Sequence, residues 1–373
     1  MNMIRALRRA FARFCRVFPI DPNKCVFICF GGHSYADNPR AVSQSLHALR
    51  PGSEIIWLFT DPASKAGVTP DYVKSRRIHS PAGVYHMATA NAWVLNTPAP
   101  NYIEKRPGQF YVQTWHGDRG FKVCLHESGA NGLADSKMID VCVSGSRHAD
   151  TFFKSAFRYD GEIMRVGSPR DDALINPDKA EIAAIRKKLG LGDERVIIYA
   201  PTMRDSRAEL KVDIDLSGIL DALENRDGVK WKALVRAHFM NRALYGVEDD
   251  RRIIDASRYE DMRDLLLTAD ILITDYSSSA GDFVLTGKPV ILYQREDEGF
   301  TEKNRRLYFD VNDTSFLVAR DPGQLLEVVL GADADSKERD EDILKFFGSF
   351  ETGEAANGVA MRICQHMDGR GRL

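Results

Sequence analysis

No stretch of this 373-residue chain comes near the roughly 20 consecutive apolar residues that a transmembrane helix needs. It also lacks a basic excess. The 51 Lys and Arg residues stand against 53 Asp and Glu, for a formal net charge of −2, which argues against a dedicated nucleic-acid binder. The six cysteines form no C-x-x-C pair and no Cys/His set with zinc spacing, so no metal site and no redox dithiol is expected. Several of them lie in apolar runs, as free thiols do in a reducing compartment, so no structural disulfide is expected either. Neither a G-x-G-x-x-G fingerprint nor a G-x-x-x-x-G-K-[ST] loop occurs, and no bound cofactor is expected. Internal repeats and low-complexity tracts are missing too. What remains is the balance of a folded soluble protein, 44% hydrophobic and 28% charged, too long for one ordinary core.

One more absence marks the start of the chain, where no acid precedes Asp21. Arg5, Arg8, Arg9, Arg13 and Arg16 fall here. On a helix, Met3, Ile4, Leu7, Phe11, Phe14, Cys15 and Phe18 share one stripe, with the arginines gathered opposite. Pro19 and Pro22 then stop the helix. This pattern suits reversible attachment of residues 1–18 to an anionic membrane surface. The alternative is a helix packed on the protein's own domain with its arginines solvated. The segment has neither the continuous apolar core nor the cleavage site of a secretory signal.

Further along, apolar strand-like runs alternate with helical stretches. Strands are expected at 25–30, 54–59, 77–78, 93–95, 110–113 and 139–143, then at 196–199, 231–235, 271–274 and 289–293. Helices are expected at 39–49, 179–189, 216–224, 262–268, 325–330 and 357–367, while the charged region 333–342 reads as a surface loop. Such alternation implies parallel sheets covered on both faces. The fold class is α/β, of GT-B architecture: two Rossmann-like domains with parallel sheets facing a central cleft. The expected divisions are an amphipathic membrane-binding helix at 1–20, Rossmann-like domains at 21–175 and 176–350, and a closing helix at 351–373.

Polar groups gather where strands end, the crevice in which open α/β sheets bind ligands. After the 271–274 run come Asp275, Tyr276, Ser277, Ser278 and Ser279, then Ala280, Gly281, Asp282 and Phe283. The three serines either cap a helix or hold an anion such as a diphosphate. Asp282 is expected to cap. Gln113, Thr114, Trp115, His116, Gly117 and Asp118 follow another strand, with Gly117 easing the turn. His116 is either a proton acceptor or a hydrogen-bonded structural residue. Thr202 and Arg204 project after Pro201, and Arg204 offers bidentate bonding to phosphate or pairs with Asp205. Arg236 and His238 share one face of an extended end and together suit a growing phosphoryl charge. Arg170 either touches substrate or fastens a domain junction.

In order along the chain, QTWHG, GSPRDD, YAPTMRD, RAH, ADILITDYSSSAGDF, GKPVILY and RRLYFD resemble the CDP-glycerol glycerophosphotransferases, the TagB/TagF-type enzymes of teichoic acid and capsule synthesis. The resemblance runs from about Phe110 to Asp310. It implies a GT-B enzyme, peripheral at the cytoplasmic face of the cell membrane, with an N-terminal acceptor domain and a C-terminal donor domain. Such an enzyme moves glycerol phosphate, or a related polyol phosphate, from a CDP-activated donor to a lipid-linked or glycan acceptor and releases CMP. It implies catalytic roles for His116 and His238. The donor side would comprise Thr202, Arg204, Arg236, Asp275, Ser277, Ser278 and Ser279, and the acceptor side Gly117, Asp118 and Lys122. The family pattern HGTPLKK is altered here, since Asp118, Arg119, Gly120 and Phe121 replace its central portion and only Lys122 remains. Phe239 replaces a usual Pro and Arg306 a usual Gly. The competing reading is a GT-B glycosyltransferase or epimerase that uses a UDP-sugar.

Overall fold

A computed structural model describes residues 2–128, 136–202, 214–236, 250–295, 306–332 and 337–369. The chain forms two compact units. One comprises Met1–Asp118, Leu125–Asp172 and Phe350–Leu373, and the other Arg119–Cys124 and Ala173–Ser349.

The first unit is built on a seven-stranded sheet of β1 (Asp21–Ile28), β2 (Glu54–Phe59), β3 (Val73–Arg77), β4 (Ala90–Leu95), β5 (Phe110–Gln113), β6 (Val141–Ser144) and β7 (Glu162–Arg165). Its order is β3-β2-β1-β4-β5-β6-β7, and every pairing is parallel. The central strands are apolar on both faces because helices cover both. Phe27, Trp57, Val94 and Val112 share one core with Val359, Ala360 and Ile363 of the C-terminal helix Ala355–Met367. That helix packs on the helix Asp37–Leu49.

The second unit has β8 (Arg195–Ala200), β9 (Trp231–Val235), β10 (Ile253–Asp255), β11 (Ile271–Thr274), β12 (Val290–Tyr293) and β13 (Leu317–Ala319), ordered β10-β9-β8-β11-β12-β13 and again all parallel. Side chains alternate across it. Ile198, Leu272 and Leu292 enter one core and Ile197, Ile273 and Ile291 the other. In both sheets the strand order reverses beside the first strand, at β1/β4 and at β8/β11. These are the topological switch points at which α/β sheets bind ligands.

Three strands escape the sequence reading. β7, β10 and β13 are edge strands of three or four residues, too short to stand out as apolar runs. The region expected as a charged loop carries the helix Lys337–Phe347, which buries Ile343 and Phe347 beneath a charged outer face. No helix among the described residues is long and apolar enough to cross a membrane.

The N-terminal helix Asn2–Phe14 buries Ala12, and Cys15 just beyond it is also buried. The rest of its apolar stripe stays largely outside: Leu7 is 63% and Phe14 59% exposed, with Met3 and Ile4 beside them, while Phe11 is half-buried. The arginines Arg9, Arg13 and Arg16 turn to Glu104 of the same unit. They are therefore not merely solvated, as the reading of a helix packed on its own domain supposed.

Candidate active site

In the first unit, candidate chemistry collects beyond the carboxyl ends of β1, β4 and β5. The turn after β5 is held by Gln113, whose Oε1 accepts from Trp115 N at 2.9 Å. Trp115 adopts φ 51°, a left-handed conformation that a bulky L-residue takes only under constraint. The sequence places this turn at Gly117, but the left-handed residue is Trp115. Packing supplies the constraint, with the Trp115 ring 4.1 Å from His116 and 4.8 Å from Phe157, centroid to centroid.

His116 Nδ1 lies 2.6 Å from the carbonyl oxygen of Asn96, at the end of β4. A carbonyl only accepts, so Nδ1 carries the proton and Nε2 keeps its lone pair. Asn96 is itself fixed. Its Oδ1 accepts from Phe30 N at 2.8 Å, and its Nδ2 donates to Asp37 Oδ1 at 3.2 Å. Burial is the main influence on the imidazole and pushes its pKa below the ordinary 6.5. The Asn96 hydrogen bond and the Asp37 charge pull it upward, and Arg170 acts with burial. The ring is therefore neutral at pH 7 and able to take a proton.

Arg170 donates to Asp37 Oδ2 at 2.9 Å, and its backbone N–H donates to Asn38 Oδ1 at 3.0 Å. It thereby fastens the start of the helix Asp37–Leu49 within the first unit. Asp118 is buried, accepts from Gly145 N at 2.8 Å, and stitches the His116 loop to the end of β6. Gly117 is half-buried. Lys122, grouped with these by sequence, falls in the second unit, where it bridges Leu307.

In the second unit, loops after β8 and β11 meet at the switch point. Asp275 is buried, and its Oδ1 accepts from Thr202 N at 2.8 Å and Tyr276 N at 2.6 Å. It joins the two loops as a positioning group. Thr202 Oγ1 is buried with no hydrogen-bond partner among the described residues, a polar group whose burial is uncompensated there. Ser277 Oγ accepts from Ser279 N at 3.3 Å and Ser279 Oγ at 2.9 Å, so the serines bond to one another at the entry to the helix Ser279–Phe283. Ser278, the residue preceding that helix, makes no side-chain cap. Arg236, at the end of β9, donates to Tyr259 O at 2.9 Å. Burial lowers its pKa against the nearby Asp261 and Glu260 charges, and the guanidinium stays charged. Arg204 and His238 lie outside the described residues.

Asp282, expected to cap, instead pairs with Arg119. Arg119 NH2 lies 3.2 Å from Asp282 Oδ1, and Arg119 Nε donates to Gly281 O at 3.0 Å. Phe121 packs against Phe309 and Phe316. Of the residues that replace the family's usual loop, Arg119 and Phe121 are therefore packing residues of the second unit, while Asp118 belongs to the first.

Sequence reasoning missed Asn96, Asp37 and Arg119. Asn96 had a usable signal, because it stands at a strand end before Thr97 and Pro98. Arg119 had none, because its partner lies 163 residues away.

These features agree with what the chain is similar to. A family model described as CDP-Glycerol:Poly(glycerophosphate) glycerophosphotransferase matches residues 10–365. A teichoic acid poly(glycerol phosphate) polymerase of Bacillus spizizenii is 29% identical over 374 residues, 93% of this chain and 93% of that protein. The polymerase of the same name from Staphylococcus epidermidis is 29% identical over 369 residues, which cover 91% of this chain but only 50% of that protein. A structure of the wall teichoic acid polymerase TagF soaked with CDPG superposes with a TM-score of 0.83 at 25% identity, covering 98% of this chain and 95% of that one. A putative UDP-N-acetylglucosamine 2-epimerase from Listeria monocytogenes shares the GT-B-like fold alone, with a TM-score of 0.51 at 15% identity over 92% of this chain and 97% of that one. The match along nearly the whole chain settles its place: it belongs to the CDP-glycerol:poly(glycerophosphate) glycerophosphotransferase family.

Proposed function

We propose that this chain transfers glycerol phosphate from CDP-glycerol to a hydroxyl of a lipid-linked or glycan acceptor, releasing CMP. The acceptor oxygen attacks the β-phosphorus. The bond from that phosphorus to the bridging oxygen breaks, and CMP leaves with the electron pair. The acceptor proton passes to His116 Nε2. The observation that carries this reading is the 2.6 Å contact of His116 Nδ1 with Asn96 O, which commits the other nitrogen to accepting. Hydroxyls of Thr202, Ser277, Ser278 and Ser279 hold the diphosphate at the β8/β11 switch point, with Asp275 keeping the two loops together. Arg236 neutralises charge on the departing CMP, and His238 and Arg204 act with it on the strength of their motifs.

Attachment at the cytoplasmic face of the membrane belongs to the same proposal. The exposed stripe of Met3, Ile4, Leu7 and Phe14 supports it, since water is a poor solvent for so much contiguous apolar surface.

The test is release of CMP from CDP-glycerol by the full chain, given membranes carrying the lipid-linked acceptor. His116→Ala should slow turnover by roughly 10²- to 10⁴-fold while donor binding persists. Native-like turnover in that variant would remove His116 from the chemistry. Release of UDP from UDP-sugars, with none of CMP from CDP-glycerol, would replace the donor assignment.

A further inference from the structure

Two arginines of the N-terminal helix, and Arg16 in the turn that follows it, converge on one carboxylate. Arg9 and Arg13 are one turn apart, Arg16 follows on the same face, and all three reach Glu104 in the loop between β4 and β5. Arg9 hydrogen-bonds Glu104 directly. Arg16 NH2 donates to the Glu104 carbonyl at 3.2 Å and stands 3.6 Å from its carboxylate, while Arg13 NH2 is 3.9 Å from the carboxylate, beyond good hydrogen-bond distance. Arg106 and Tyr102 line the same small pocket. Arg106 NH1 donates to the carbonyls of Phe18 and Ala88 at 2.8 and 3.0 Å, which fixes it as part of the wall. The hydrogen bond from Arg9, assisted by Arg13 and Arg16, holds the Glu104 carboxyl below its ordinary pKa, so it is ionised at neutral pH.

Four guanidinium groups around one carboxylate leave three surplus positive charges. One arginine would anchor this helix. Like charges one turn apart on a helix repel, so the additional arginines weaken the helix unless an anion joins them. A guanidinium presents paired N–H groups at the spacing of phosphate oxygens. We infer that the pocket formed by Arg9, Arg13, Arg16 and Arg106 around Glu104 binds a phosphate oxyanion.

The exposed apolar stripe lies on the opposite face of the same helix; by bringing this segment to a lipid surface it makes a lipid phosphate the source tested first. For that source the inference rests on the membrane reading given above, whereas the pocket's chemistry stands apart from it. The arginines are then a seat for single headgroups, not a diffuse basic face.

Two probes test this on the full chain: inorganic phosphate in solution, and phosphatidylcholine vesicles with and without phosphatidylglycerol. The native chain should bind phosphate and float with the anionic vesicles. The triple variant Arg9→Gln/Arg13→Gln/Arg16→Gln should lose phosphate binding, and its vesicle binding should fall about fivefold per arginine removed. Glu104→Gln should bind phosphate more tightly than the native chain. Leu7→Ser/Phe14→Ser should lose flotation and keep phosphate. Donor turnover in detergent, unchanged in the triple variant, certifies its fold. Phosphate binding equal in the native chain and the triple variant, or undetectable in both the native chain and Glu104→Gln, overturns the pocket. Flotation of the triple variant as strong as native also overturns it and leaves the membrane reading on the apolar stripe alone. Phosphate binding by a native chain that floats with neither vesicle keeps the pocket, assigns it free phosphate, and overturns the membrane reading.

Discussion

Replacing Arg119 by Met should destabilise the second unit far more than a surface change would. The Arg119 side chain is 0% and Asp282 5% exposed, at 3.2 Å. Met keeps most of the aliphatic stem and removes the charge, leaving Asp282 buried without its guanidinium. Breaking a buried pair from one side costs roughly 3–5 kcal/mol. The lost Nε bond to Gly281 O adds about 1 kcal/mol at most. Asp282→Asn added to Arg119→Met removes that buried charge, so the double variant should recover about 2 kcal/mol. Urea titration of the four chains, with hydrogen exchange at β11 to confirm that the second unit responds, gives the cycle. Arg119→Met within about 1 kcal/mol of native, or a double variant no more stable than the single one, would refute the reasoning.

The kcat/KM profile of the native chain should fall on the acid side with a midpoint below 6.5, since burial holds His116 below that value and only the neutral ring accepts a proton. Asp37→Asn removes a charge that raises the His116 pKa, so it should move that midpoint further toward acid; a shift to higher pH would contradict the assignment. Gly145→Ala should destabilise the first unit by about 1–3 kcal/mol, because a Cβ there meets Ser168 Oγ at 2.7 Å and the Glu351 carboxylate closer still, and thermal melting measures it. Ile363→Ala, in the core of the first unit, should cost about 2–5 kcal/mol by denaturant titration.

Much of the fold was legible where burial leaves an unambiguous trace. Central strands such as Glu54–Phe59, Trp231–Val235 and Ile271–Thr274 are apolar on both faces, and their bounds match the expectation residue for residue. The missed edge strands lack that trace because three or four residues are too few to set a strand apart from a loop. The helix Lys337–Phe347 was hidden because its charges dominate the composition and its buried residues come late. In the candidate site, residues at strand ends were visible because topology puts ligands there. Their conformations were not. Trp115, not Gly117, is left-handed because Phe157 and His116 pack its ring, and such packing is not local in sequence. The arginine face of the first helix was visible, while its turn toward Glu104 depended on a loop some ninety residues on.

The first unit draws the core residues Val359, Ala360, Ile363 and Met367 from the helix Ala355–Met367, about three hundred residues beyond the helix Asp37–Leu49 that they cover. During synthesis, the face of Asp37–Leu49 that these cover must therefore wait, greasy and unshielded, while the ribosome makes everything between. Ala173–Ser349 emerges as one uninterrupted stretch and is free to condense earlier. Native packing of the first sheet on that side thus waits for the helix Ala355–Met367 to be made.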